Sequence, residues 1–326
     1  MSHPINALSK TLKSSLKRVN KEIKDNIKDE EKLITTTAGH LLNSDGKKIR
    51  PLLTLIISRM LKYRGSADVT LAVCIEFIHN ATLLHDDVID TGKLRRGKKS
   101  ANEIWGNKVS VLVGDYLLSK AFKLMVKNKS LKLLEILSQT SLVLARGQIQ
   151  DVGNTQNIKL SEKKYLSIIN AKTAELFRVS CFLPTIITRQ NKKIQKIFND
   201  FGYYFGMSFQ LSDDILDYFG HSNKMGKSIG KDFYEGKVTY PVIRCFKDSD
   251  KKSKVIIAKL FLKKKRNKKD LAVILKLMEK TDSYQKSIDF LLKYNEKAKS
   301  SINKFEDNRY KVYLTNLVDN LAIREK

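Results

Sequence analysis

Proline is scarce in this chain. Four residues, Pro4, Pro51, Pro184 and Pro241, punctuate 326 positions. Between them the apolar residues recur at three- and four-residue spacing rather than in alternation, which argues against a sheet-rich architecture and predicts an all-α protein. Cysteine is scarcer still. Cys74, Cys181 and Cys245 are odd in number, far apart and without metal-ligand spacing, so a disulfide framework is not expected and reduced core thiols in a cytoplasm-like, cytoplasmic setting are. No apolar run reaches the roughly 18 residues that suggest a membrane span, which leaves a soluble or peripheral protein. Acids are also short: 34 against 62 Lys and Arg, a net charge of +28. Such a balance suits nucleic acid or an anionic bilayer. The lysines, however, are scattered along helices. The one dense run, Lys263-Lys264-Lys265-Arg266 with Lys268-Lys269, reads as an inter-helix loop without interleaved aromatics or a zinc or helix-turn-helix signature. A solvated basic surface is expected, with weak membrane-surface contact as a secondary property and no nucleic acid.

What is present begins with enough apolar residues, 42%, to bury one large core, so residues 1–326 read as a single domain. Ile5, Leu8, Leu12, Leu16 and Val19 have helical spacing, and no acid precedes Glu22. A transit peptide would share those traits. The stretch is rich in Lys rather than Arg, though, and runs into a helix from Glu22 to Gly39, so a first structural helix is expected.

The organising stretch is Leu83-Leu84-His85-Asp86-Asp87-Val88-Ile89-Asp90, echoed by Leu211-Ser212-Asp213-Asp214-Ile215-Leu216-Asp217. On a helix Asp86 and Asp90 are i,i+4 partners, and Asp87 and Asp90 are i,i+3 partners, so each cluster lines one face with carboxylates. Like charges at that spacing repel, and buried carboxylates need a compensating charge. Hard cations supply it: an oxygen-only set suits Mg²⁺, which uses one or two carboxylates per ion and shares its other positions with water and phosphate.

Cations flank both ends of the first cluster's neighbourhood. Asn43-Ser44-Asp45-Gly46-Lys47-Lys48-Ile49-Arg50-Pro51 leads into an apolar helix from Leu52 to Leu61. It is either a plain basic loop or a phosphate cradle at a helix start, with Lys47 and Arg50 meeting the anion. A helix from Val69 to Asp90 follows, with His79 seven residues before Asp86 and therefore on its face. Beyond it, Thr91-Gly92-Lys93-Leu94-Arg95-Arg96-Gly97 sets two arginines, whose planar forks suit phosphate oxygens, just past the aspartates.

Together these residues resemble the trans-polyprenyl diphosphate synthases. The likeness extends through Val111-Leu112-Val113-Gly114-Asp115-Tyr116, Lys172-Thr173-Ala174-Glu175-Leu176-Phe177, Phe209-Gln210, Gly226-Lys227 and Glu235-Gly236-Lys237-Val238-Thr239-Tyr240-Pro241. It covers roughly residues 30 to 245. The resemblance implies a single-domain bundle of antiparallel helices around a central cavity, the isoprenoid synthase type, usually homodimeric. It assigns Asp86, Asp87, Asp90, Asp213, Asp214 and Asp217 to Mg²⁺ bridging an allylic diphosphate. Arg95, Lys172, Lys227 and Lys237 would grip that diphosphate. Lys47, Arg50, His79 and Arg96 would hold isopentenyl diphosphate, with Phe209 beside its hydrocarbon part, and Thr173 and Gln210 would sit near the developing cation. Two positions depart from the pattern: Asp45 stands where Gly is usual, and Lys48 where Arg is common.

The resemblance also implies a way to read product length. Shorter-chain members commonly carry Phe or Tyr about one turn before the first cluster, where this chain has Ala81 and Thr82, with Ile78 and Cys74 lower on the helix. A long product is expected, octaprenyl diphosphate first, of the kind used for quinone side chains. A farnesyl or geranylgeranyl synthase is the alternative. A class I terpene cyclase fits less well, because the second cluster is fully aspartate and a second diphosphate cradle is present. An inactive partner subunit would have lost aspartates that are all retained here.

Overall fold

The computed structural model describes residues 2–28, 30–42, 46–95, 97–220 and 229–322. Arg96, Lys227, Gly226 and Asp45, all singled out above, lie outside the described residues. The chain runs α1 (Ser2–Thr11), α2 (Lys13–Ile27), α3 (Lys32–Leu42), α4 (Ile49–Met60) and α5 (Ala67–Ile89). A short antiparallel hairpin follows, β1 (Leu94–Arg95) with β2 (Lys98–Lys99). Next come α6 (Ala101–Trp105), α7 (Asn107–Lys127), α8 (Leu131–Val152), α9 (Glu162–Ile169), a π-helical turn (Asn170–Ala174) and α10 (Glu175–Ile187). The remainder is α11 (Lys192–Phe219), α12 (Lys231–Glu235), α13 (Tyr240–Asp248), α14 (Lys251–Leu262), α15 (Lys268–Lys280), α16 (Ser283–Asn303) and α17 (Arg309–Ala322). The all-α expectation holds apart from that hairpin.

Two expectations are amended. The helix anticipated from Glu22 to Gly39 is interrupted between Ile27 and Lys32, and Glu30, within that interval, pairs with Lys120 of α7 at 2.6 Å. And among the described residues one helix, α5, is long and apolar enough on average to cross a bilayer, although polar residues break its apolar run. Its apolar surface is spent inside the protein, where 72% of that stretch is buried.

Helix starts are written locally. Ser130, Ser161, Asn191 and Asp250 each accept the N–H three residues ahead, and Asn267 with Asp270 forms a reciprocal capping box, each cap worth about 1 kcal/mol. The basic run before Asn267 is the expected inter-helix loop, but Arg266 is an anchor rather than a solvated charge. It donates to the carbonyls of Leu260 and Tyr234, both at 3.1 Å, and lies over the Phe233 and Phe261 rings.

The elements that place the site pack around α10. It touches α4, α5, α8 and α11, while α5 also packs on α4 and α7, and α11 on α16. Pro184 sits inside α10 and has no N–H to give to the Ser180 carbonyl one turn back. Thr54 of α4 supplies the missing donor at 3.0 Å, so the proline's defect becomes a bond between helices. Close approach is also required at the π turn. A Cβ on Gly147 of α8 would lie 2.6 Å from the Lys172 nitrogen, and one on Gly206 of α11 would lie 2.6 Å from the Ala174 Cα. Only glycine lets α8 and α11 clamp the turn that carries Lys172 and Thr173.

Candidate active site

The first carboxylate cluster ends α5. Asp86 is pushed above the ordinary carboxylate range by burial, against the pull of Lys172, and among the described residues no donor pairs with it directly. Asp87 is buried, 1% exposed, and Arg95 grips it with Nε, at 3.0 and 3.3 Å, and with Nη2. The β1–β2 hairpin aims that arginine back at the helix it has just left. Asp90 is the C-cap residue of α5. Burial would raise its carboxyl, but Lys237 at 2.8 Å outweighs burial and lowers it.

The second cluster lies near the end of α11. Asp213 is exposed and Asp214 is 3% exposed. One Asp214 oxygen accepts from the Tyr165 hydroxyl and the other from the Gln210 amide at 2.6 Å. Burial raises its carboxyl to about 7. Asp217 accepts the backbone N–H groups of Lys231 and Asp232 at 3.1 and 2.9 Å, and burial still raises it to about 6. Lys237 joins the two clusters. It follows α12 directly, its N–H bonds the Asp232 carbonyl, and its ammonium pairs with Asp90 of α5 and with Glu235.

The cations sort into two groups. Lys172, on the π turn, pairs with Asp151 at the end of α8 at 2.7 Å. Burial would lower its pKa, yet Asp86 and Asp151 raise it overall. The second group gathers around α4: Arg50 Nη1 lies 3.3 Å from His79 Nε2, and the guanidinium sits 4.0 Å above the Phe177 ring, itself 4.9 Å from Phe209. Lys47 is exposed three residues before Arg50. Thr173 donates to the Gln210 carbonyl oxygen at 2.8 Å. Ala81 is buried, and Thr82, half-buried, donates to the His79 carbonyl at 2.7 Å.

Thus Arg50, His79 and Phe209 do come together, as do Thr173 with Gln210 and Lys237 with the first cluster. Three residues that complete these groups were not singled out by sequence. Phe177 stood inside a quoted stretch and joins Arg50 to Phe209. Asp151 had a faint signal, an acid closing an apolar helix, and Tyr165 had none. Among the described residues no three His, Cys, Asp or Glu side chains close around one ion by themselves. Burial raises the carboxyls of Asp86, Asp214 and Asp217, and a divalent ion beside them would favour their charged form.

A helical bundle that draws two carboxylate clusters and a set of half-buried cations together belongs to the class that handles diphosphate esters with divalent metal. The match to the polyprenyl synthetase family spans residues 31–278; the chain belongs to that family and is a polyprenyl diphosphate synthase, a prenyltransferase. It is 40% identical to the octaprenyl diphosphate synthase of Escherichia coli over 225 residues, 69% of this chain and 70% of that one. The fold is the isoprenoid synthase fold. A decaprenyl diphosphate synthase structure from Rhodobacter capsulatus matches with a TM-score of 0.94 at 34% identity, covering 99% of both chains. The polyprenyl synthase of Caulobacter crescentus, complexed with calcium and isoprenyl diphosphate, matches equally, TM-score 0.94 at 34% identity over 99% of this chain and 98% of that one.

Proposed function

We propose that this enzyme condenses isopentenyl diphosphate repeatedly onto an allylic diphosphate, with Mg²⁺, to a long all-trans product, octaprenyl diphosphate first among the candidates. The observation that carries the reading is Lys237, which ties the helix bearing the first cluster to the segment that follows the second. That tie supports a single diphosphate site built from two motifs more than a hundred residues apart.

Asp86 and Asp90 on one side and Asp213 and Asp217 on the other would hold the divalent ions. Asp87, whose oxygens are taken by Arg95, would position its neighbours, and Asp214 is held by Tyr165 and Gln210. Metal bound there supplies Lewis-acid charge to the leaving diphosphate. Lys172, Lys237, Lys227 and the rest of the Arg95 fork take up the negative charge as the allylic C–O bond breaks and its electron pair stays with diphosphate. Lys47, Arg50, His79 and Arg96 hold isopentenyl diphosphate, with Phe209 and Phe177 walling its hydrocarbon. Its double bond attacks the allylic carbon, and loss of a proton to the released diphosphate restores the alkene. Leu84, Ile215 and Leu216, all buried, help keep water from the cation.

The long product is supported by the small Ala81 above Ile78 and Cys74, and by the names of the relatives, octaprenyl and decaprenyl. A quinone side chain is the proposed use, in the cytoplasm, with the basic surface making weak contact with anionic membrane, and 1–326 acting as one domain. A homodimer is supported by exposed apolar positions on α7 and α8. Leu112 is 67% exposed, and Leu142, Ile149 and Val152 form an exposed stripe at helical spacing. The test is to incubate purified protein with isopentenyl and farnesyl diphosphates and Mg²⁺ and to size the dephosphorylated product. Chains near eight isoprene units are expected. A product that stops at three or four units would overturn the long-chain reading.

A further inference from the structure

We propose that Tyr165 is a positioning residue for the ionisation step, acting through a directional hydrogen-bond chain, Tyr165 to Asp214 to Gln210 to Thr173. The chain crosses three separate elements, α9, α11 and the π turn. The Tyr165 hydroxyl donates to one oxygen of Asp214, and the Gln210 NH₂ donates to the other at 2.6 Å. Gln210 thereby turns its carbonyl oxygen to the π turn, where the Thr173 hydroxyl donates to it at 2.8 Å.

The direction of these bonds matters. An amide side chain has one donor end and one acceptor end. With the donor end committed to Asp214, the acceptor end faces Thr173 and takes its proton. The Thr173 oxygen then keeps its lone pairs for whatever lies beyond. On the reading of the site given above, that is the allylic carbon as it becomes a cation, and a fixed lone pair there is stabilising without reorganisation. If Gln210 turned over, its NH₂ would face Thr173, the hydroxyl would have to accept, and its hydrogen would point at the developing positive charge. Tyr165 opposes that inversion by holding Asp214 as an acceptor.

Position supports the assignment. Thr173 stands in a π-helical turn, an insertion that proteins tend to keep at functional places, and Gly147 and Gly206 press helices onto both sides of it. Its neighbour Lys172 acts on Asp86 of the first cluster. Tyr165 is itself fixed: its ring is 3% exposed and tilted against Tyr240 at 6.1 Å. No other hydroxyl reaches Asp214 among the described residues.

The proposal rests on Thr173 lying at the cation, so the experiment separates the two claims. Single-turnover rates and KM for both diphosphates are measured for the parent, Tyr165→Phe, Thr173→Val, Thr173→Ser and the Tyr165→Phe/Thr173→Val double variant, each checked for parental melting behaviour. Tyr165→Phe should slow the chemical step about tenfold, the size of one hydrogen bond to a charged acceptor, with KM for both substrates within about twofold of the parent. Thr173→Ser should retain most of the rate. In the Thr173→Val background, Tyr165→Phe should cost nothing further, because the chain no longer ends on a hydroxyl. A Thr173→Val enzyme at the parental rate would overturn the reading of the site and the chain with it. An impaired Thr173→Val enzyme would leave the site reading standing, and the chain alone would be overturned if Tyr165→Phe ran at the parental rate or if its loss simply multiplied with that of Thr173→Val.

Discussion

Placing a tyrosine at Ala81 asks whether the small residues below the first cluster form an open path. Ala81, Ile78 and Cys74 share one face of α5 at i, i−3 and i−7, and all three are buried. At 1.5 Å per residue, Ala81 lies about 7.5 Å from Asp86 along the axis and Cys74 about 18 Å, a separation of about two helical turns. Each turn rises about 5.4 Å, close to one isoprene unit. Ala81→Tyr should therefore stop the product at farnesyl or geranylgeranyl length, whereas Cys74→Phe should stop it about two units later. Two measurements are made on the same protein: chromatography of the dephosphorylated products, and the unfolding free energy. If the face is open, the ring enters space and stability changes little. If Ala81 packs against a neighbouring helix, overpacking costs about 1–3 kcal/mol. An active, destabilised Ala81→Tyr enzyme with an unchanged long product would refute the open path and move the floor to another residue, such as Phe122 or Leu137.

The other expectations are brief. Asp86→Ala and Asp213→Ala should each lower turnover by orders of magnitude while circular dichroism keeps its helical form; near-normal turnover in either would remove that aspartate from the metal site. Arg50→Ala should raise KM for isopentenyl diphosphate by about tenfold or more, because it removes a charge-assisted hydrogen bond to the diphosphate, and leave the allylic KM nearly unchanged; equal losses for both would count against the division of cradles. Thr54→Val should cost about 1–2 kcal/mol in denaturant unfolding, since the Ser180 carbonyl loses its donor, without changing kcat.

Much of the fold could be read from spacing alone. Apolar residues at helical intervals placed α4 and α5 to within a few residues, and Pro51 marked the first turn of α4. The break between α2 and α3 could not be read, nor the pairing of Glu30, which lies in it, with Lys120, ninety residues away. The π turn was equally hidden. One inserted residue shifts helical register without changing composition, and only the glycines of α8 and α11 that close on it are visible in sequence. Pro184 showed the same limit: the sequence contained the defect, while its repair by Thr54 came from another helix.

The aspartates mark the boundary most sharply. Adjacent residues on a helix point about 100° apart, so Asp86 and Asp87, or Asp213 and Asp214, cannot present their oxygens to the same space equally. The pattern shows that each pair straddles the edge of a carboxylate face, but not which member turns toward protein. That is decided by donors arriving from elsewhere: Arg95 from the hairpin after α5 takes Asp87, and Tyr165 from α9 with Gln210 takes Asp214. In both clusters the second aspartate is the one withdrawn, and the buried charge it leaves is matched by a different chemistry each time, a guanidinium in the first and neutral donors in the second. Where the donors are neutral, burial stays in command and the Asp214 carboxyl is raised to about 7. Two motifs of the same sequence form therefore differ electrostatically, and the asymmetry is set by residues outside both.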